Sequence, residues 1–225
     1  AMAVYNAFGP HTLEALTQNP YLLCGEPLQM RFALADSIAA ELQMSGENKL
    51  RVWAALLYVL RHNAGNGHTC LPRRRLTATT GQFIGVEAQA VEEHLDGALE
   101  AGELKSRQMA GGEYIYLPEL LSAEEDIAAR LADLACRQPT VPPDLERNIR
   151  VLERSRGMEY APLQRQAIRT ALTSNVLLLT GGPGTGKTTT VNAILALFEN
   201  QADRVALCAP TGRAAKRLSE LTGHK

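Results

Sequence analysis

Val176-Leu177-Leu178-Leu179-Thr180-Gly181-Gly182-Pro183-Gly184-Thr185-Gly186-Lys187-Thr188 is the stretch on which the fold turns. Its first five residues are a continuous apolar run, as a parallel strand covered on both faces requires. The next eight match Gly-x-x-x-x-Gly-Lys-Thr in full, and Thr189 to Phe198 reads as a helix. Strand, glycine-rich turn and helix in this order predict a loop that grips a nucleoside triphosphate. The glycines permit backbone angles and close approaches that side chains would block, so that successive N–H groups can ring phosphate oxygens. The helix start adds its free N–H groups and the positive end of its dipole. The candidate nucleotide-binding residues are therefore Gly181, Gly182, Pro183, Gly184, Thr185, Gly186, Lys187, Thr188 and Thr189. Lys187 would bridge the β- and γ-phosphates and the Thr188 hydroxyl would bind magnesium, which makes these two the candidate catalytic residues.

Two further segments flank this loop. Tyr160-Ala161-Pro162-Leu163-Gln164 begins a helix that leads to the apolar run. The Gln164 amide offers an acceptor and a donor to one adenine edge, a pairing that guanine would not match. Taken alone, an exposed helix glutamine is the commoner case; beside the glycine-rich loop at this distance, the adenine role is favoured. Downstream, Val205 to Ala209 reads as a second buried strand, followed by Pro210-Thr211-Gly212-Arg213 and a helix start carrying Arg213, Lys216 and Arg217. Thr211 and the helix-start N–H groups suit a phosphate or a nucleic-acid backbone; an ordinary strand–helix turn with a basic solvated face fits equally.

The chain holds 225 residues, 45 % apolar and 21 % charged, enough for a packed core. Its net charge of −1 conceals a division: residues 1–143 hold 11 Lys and Arg against 17 Asp and Glu, whereas residues 144–225 hold 12 against 7. The anion-seeking half is thus the one with the glycine-rich loop. Cys24, Cys70, Cys136 and Cys208 are scattered without a Cys-x-x-Cys pair, which argues against a zinc ribbon or a disulfide framework. No apolar run is long enough to span a bilayer and no charged-then-apolar leader opens the chain, so a cytoplasmic protein away from membranes is expected. Ala1-Met2 is set aside as a cloning remnant.

Before the loop, helical periodicity dominates. Thr12 to Thr17, Ala33 to Leu42, Lys49 to Ala64, Pro72 to Thr80 and Val86 to Ala101 read as helices, the third with an apolar face of Val52, Leu56, Val59 and Leu60. Leu104 to Met109 and Tyr114 to Leu117 read as a hairpin. Three helices and a hairpin is the order of a winged-helix domain. In a DNA-reading version the third helix would meet phosphates. Here it carries Glu87, Glu92, Glu93, Asp96 and Glu100 and no Lys or Arg, which opposes that use and favours scaffolding or protein contact. Arg73-Arg74-Arg75 reads as a solvated helix start ahead of a phosphate contact. Ser122-Ala123-Glu124-Glu125 is a capping box expected to launch a helix to about Cys136. Residues 138–144, with Pro139, Pro142 and Pro143, read as a stiff linker.

Taken together, Gln164, the run Leu179 to Thr190 and the run Cys208 to Ala215 resemble the Q-motif, motif I (Walker A) and motif Ia of superfamily 1 DNA helicases, in particular the RecD-like 5′→3′ branch. Phe8-Gly9-Pro10, Asn19-Pro20-Tyr21 and Ile115-Tyr116-Leu117-Pro118 resemble the stand-alone members of that branch. The resemblance is highly specific over residues 160–217 and thinner before them. It implies Gln164 on adenine, Lys187 on phosphates, Thr188 on magnesium, and Pro210, Thr211, Gly212 and Arg213 near single-stranded DNA or a junction with duplex. It also implies a helix-hairpin-helix region near the N-terminus. The stretch between those helices, Pro27 to Phe32, lacks the usual glycine. The expected fold is mixed: a helical region over 1–48, a winged-helix-like region with a C-terminal helix over 49–137, the linker at 138–144, and over 145–225 the start of an α/β, RecA-like P-loop motor. No acidic Walker B pair follows, so the chain reads as an N-terminal piece of an ATP-dependent helicase of DNA repair or recombination, inactive by itself. The alternatives are a different P-loop ATPase or kinase, and a non-enzymatic module using the acidic region to bind a protein partner.

Overall fold

A computed structural model describes residues 2–139, 141–199 and 205–223. Ala1 of the remnant reading and one linker residue, 140, lie outside the described residues. The chain divides into two compact units, Ala1–Asp126 and Ile127–Lys225.

The first unit opens with α1 (Met2–Phe8), a 3-10 turn (Gly9–His11), α2 (Thr12–Gln18) and a second 3-10 turn (Pro20–Cys24). Asn19 caps that second turn by accepting from the Tyr21 N–H at 3.1 Å. Then α3 (Phe32–Glu41) follows, with Gln29 before it in the left-handed region at φ +44°. In the stretch that lacks glycine, a glutamine thus adopts the backbone conformation glycine favours. Next, α4 (Lys49–Gly65) is capped by the Asn48 side chain on the Leu50 N–H, and β1 (Cys70–Pro72) follows. After α5 (Arg73–Ile84), α6 (Ala88–Glu100), β2 (Lys105–Met109) and β3 (Gly112–Tyr116) comes α7 (Pro118–Cys136).

Three strands form one antiparallel sheet in the order β1-β3-β2, with Tyr116 opposite both Cys70 and Lys105. The sequence reading found the hairpin but not β1, whose three residues are too few to show an alternation. The apolar face read for α4 is the buried one, and Val52, Leu56, Leu76, Val91, Leu95 and Ile115 are wholly enclosed together. The helix read from the Ser122 capping box begins a turn earlier, at Pro118, which suits a first helical position because it has no N–H to satisfy. The box is therefore internal. Arg73 is not a solvated helix start. Its guanidinium pairs with Glu92 and Asp96 of α6 and with Glu113 of β3 at 3.1 Å, tying three elements. Two of the four carboxylates on α6 are thereby neutralised from within. Arg51 likewise grips Asp36 through two nitrogens at 2.7 and 3.0 Å and donates to the Gly46 and Ile84 carbonyls.

In the second unit, α8 (Leu145–Arg156), α9 (Pro162–Thr173) and α10 (Lys187–Glu199) pack around Ile149, Leu152, Tyr160, Ile168, Leu172, Ala193 and Leu197, and α11 (Gly212–Thr222) follows. The sequence reading overlooked α8, whose charged residues mask the buried Ile149 and Leu152.

The two strands expected here are corrected. Neither 176–180 nor 205–209 joins a ladder among the described residues, and Leu178 is 88 % exposed. A parallel strand exists only by virtue of neighbours that supply its hydrogen bonds and cover both faces. An apolar run states the need for such neighbours and does not provide them.

Candidate functional site

The glycine-rich segment leaves the extended run, turns, and enters α10 at Lys187, two residues earlier than the helix read from the sequence. Gly184 at φ +76° and Gly186 at φ +78° occupy the left-handed region, where a side chain is strained. At Gly186 space is also exhausted, because a Cβ there would run into the Gln164 amide nitrogen. At Gly181 it would lie 2.8 Å from Thr185 Oγ1. The Thr185 hydroxyl donates to the Gly182 carbonyl at 3.0 Å, closing the turn.

The Gly186 carbonyl opens the helix. It accepts from the Thr190 N–H at 3.0 Å and from the Thr190 hydroxyl at 3.1 Å. The N–H groups of Lys187, Thr188 and Thr189 precede any carbonyl the helix can offer them, so they are free to bind an anion. Lys187 curls back over the turn and donates from Nζ to the Gly181 and Gly182 carbonyls, with Thr185 Oγ1 at 3.4 Å. Its ammonium is thus held by the backbone carbonyls of the loop itself. Thr188 is exposed beside it and Thr189 half-buried.

Gln164 sits in the first turn of α9, where its Oε1 accepts from the Ala161 N–H at 3.0 Å. Its Nε2 lies 3.5 Å from the Gly186 carbonyl, a long contact across 22 residues of chain. The structure therefore brings Gln164 to the glycine-rich turn. The basic turn stands differently. Thr211 caps α11 by accepting from the Ala214 N–H at 3.2 Å, and Pro210, Thr211, Gly212 and Arg213 are all exposed. No described hydrogen bond or ion pair joins them to residues 181–189; a link between α10 and α11 is Asn192 Nδ2 donating to the Leu221 carbonyl at 3.0 Å.

One participant escaped the sequence reading. Glu153 of α8 is buried, accepts from the Tyr160 N–H at 3.0 Å and pairs with Arg165. The Tyr160 N–H, then the Arg165 guanidinium, hold its carboxyl below the usual carboxylate range against the opposing effect of burial. It thus ties α8 to the entry and the first turn of α9, where Gln164 also sits. The signal was a glutamate one turn after Ile149, on the apolar face.

A helical module, followed in the chain by a glycine-rich turn at a helix start, is the class that these elements define. Comparison agrees at both ends. A family model described as the ATP-dependent RecD2 DNA helicase HHH domain matches residues 1–70 and one described as an AAA domain matches residues 164–225. The ATP-dependent RecD2 DNA helicase of Deinococcus radiodurans is 32 % identical over 96 % of this chain and 31 % of its own length. The RecBCD enzyme subunit RecD of Mycobacterium tuberculosis is 45 % identical over 47 % of this chain and 18 % of its own, and that of Haemophilus influenzae 48 % over 28 % and 10 %. Over nearly its whole length the chain is similar to RecD-like helicases, and it spans about a third of the length of the Deinococcus relative.

Proposed function

We propose that this chain carries the ATP-binding part of a motor that moves along single-stranded DNA and separates duplex at junctions. The observation that carries the reading is the convergence at one turn of the Lys187 ammonium, two left-handed glycines, a helix start and Gln164. A triphosphate fits these residues, since the turn leaves the N–H groups of 187–189 free and admits no Cβ at Gly186. Gly181, Gly182, Pro183, Gly184, Thr185, Gly186 and Thr189 would cradle the phosphates, and Lys187 would neutralise the outer two. Thr188 would hold magnesium, which supplies charge neutralisation during phosphoryl transfer. Gln164 would read adenine, and Pro210 to Arg213 would contact DNA. The 5′→3′ direction and the repair or recombination setting follow from the family alone.

In this reading residues 49–137 are a winged helix, because α4-β1-α5-α6-β2-β3 is that fold's order, and residues 1–48 are a helix-hairpin-helix region. Residues 138–144 are the linker, and 145–225 begin a RecA-like domain. No helix among the described residues is long and apolar enough to cross a membrane, and we place the protein in the cytoplasm. A protein partner for the acidic region is the second reading. It is favoured by Ile127, Leu131 and Leu134, which are exposed one turn apart on α7.

Titration calorimetry with Mg-ATP on this chain is the direct test. Lys187→Ala should weaken binding at least ten-fold with the fold intact. In the longer protein, single-stranded DNA should raise ATP hydrolysis and the same substitution should abolish it. Hydrolysis indifferent to DNA would point to a different P-loop enzyme.

A further inference from the structure

Half of the twelve cations in residues 144–225 lie between Arg147 and Arg169, and the triphosphate reading uses none of them. On α8, Arg147, Arg150 and Arg154 follow one another at one-turn spacing and share a helix face. All three are exposed, and none is in an ion pair among the described residues. Two of the nearby carboxylates are already taken, Glu146 by Arg169 and Glu153 by Arg165, and Glu159 on the rim of the same cleft leaves the cations in excess. Arg150 helps hold both ionised without being matched by either.

Like charges one turn apart on a helix repel. A face that keeps three of them is suited to an outside anion, and the planar guanidinium suits phosphate oxygens two at a time. The shape of that anion follows from spacing. At about 1.5 Å per residue the three positions spread over roughly 10 Å of helix, too far for one phosphate and natural for a chain of them. Arg150, Glu153, Arg154, Met158 and Arg165 also line an open cleft of about 420 Å³. Val151, 56 % exposed, stands one turn from both Arg147 and Arg154, and Met158 is 38 % exposed. Apolar surface among guanidinia favours a single strand, whose bases are open to contact, over a duplex that stacks them inside.

We propose that the Arg147–Arg150–Arg154 face of α8 is a contact for the phosphate backbone of a single nucleic-acid strand. It deepens the DNA-acting reading and rests on it, but it sits on an element outside the turn at Pro210 to Arg213.

The test is fluorescence anisotropy of a labelled oligothymidylate with this chain over a series of salt concentrations. The proteins compared are the wild type, the triple variant Arg147→Glu, Arg150→Glu, Arg154→Glu, and the double variant Thr211→Ala, Arg213→Ala. A triple glutamine variant serves if the glutamates disturb folding, which circular dichroism checks. Binding should weaken at least ten-fold in the α8 variants, and the slope of log affinity against log salt should shrink by about 2, near 0.7 per lost phosphate contact. Unchanged affinity and slope would overturn the assignment. Loss confined to the Thr211, Arg213 variant would overturn it while leaving the DNA-acting reading in place. Failure of the wild type to bind any strand would remove both. Preference for a duplex competitor through the same arginines would overturn the single-strand assignment.

Discussion

Gly186 answers to two constraints at once, a left-handed backbone and the amide of Gln164 pressed against it. Alanine there should cost about 1–2 kcal/mol for the backbone and push Gln164 aside. Urea unfolding should show that loss, and Mg-ATP titration a further fall in affinity. Gly182, with open space around it and no positive φ, should accept alanine with a stability change within about 0.5 kcal/mol. The loop was legible in the sequence because its requirements are local: glycine, lysine and threonine at fixed offsets state the geometry themselves. Gln164 was legible as a residue type at a helix start, but its contact with the Gly186 carbonyl spans 22 residues and no pattern announces it. Glu153 left only the trace of a carboxylate on an apolar helix face, since its role is to satisfy an N–H seven residues away and an arginine twelve away.

Among the elements, α8 and α9 are joined through that carboxylate, and the junction should be sensitive to pH. A carboxyl held below its unfolded value of about 4.3 contributes stability that is fully present above that value and lost as pH falls through the folded value. The unfolded chain then binds the proton more readily. Urea midpoints should therefore fall on acidification below about pH 4.5, and Glu153→Gln should flatten that part of the profile while costing about 1–3 kcal/mol at neutral pH. An unaltered profile in the variant would assign the pH sensitivity elsewhere. Leu95 on α6, fully enclosed, should cost about 2–5 kcal/mol as alanine. Helices were read well because their period is carried by neighbours three and four residues apart. The runs at 176–180 and 205–209 were read as strands, and a ladder depends on partners far along the chain, which an apolar run cannot specify.

For the whole chain, the core of the first unit is complete without any residue beyond Leu120, whereas α7 has no buried residue along its length. Brief trypsin treatment should therefore cut first at Arg130 or Arg137, both exposed, and leave an N-terminal product that keeps its helical circular dichroism. Faster cleavage within α4 or α5 would contradict this. The charge division has a counterpart here. In the first unit, Arg51 is spent internally on Asp36 and Arg73 on three carboxylates, whereas Arg147, Arg150 and Arg154 on α8 are left outward.

Leu178 presents bare hydrocarbon on an extended backbone whose amides and carbonyls have no lateral partners among the described residues. Such an edge is sticky. Two molecules that meet there can zip together, satisfying the dangling polar groups of both and drying the leucines between them. Turbidity of concentrated solutions should consequently rise on warming, and an aspartate at position 178 should hold the protein clear.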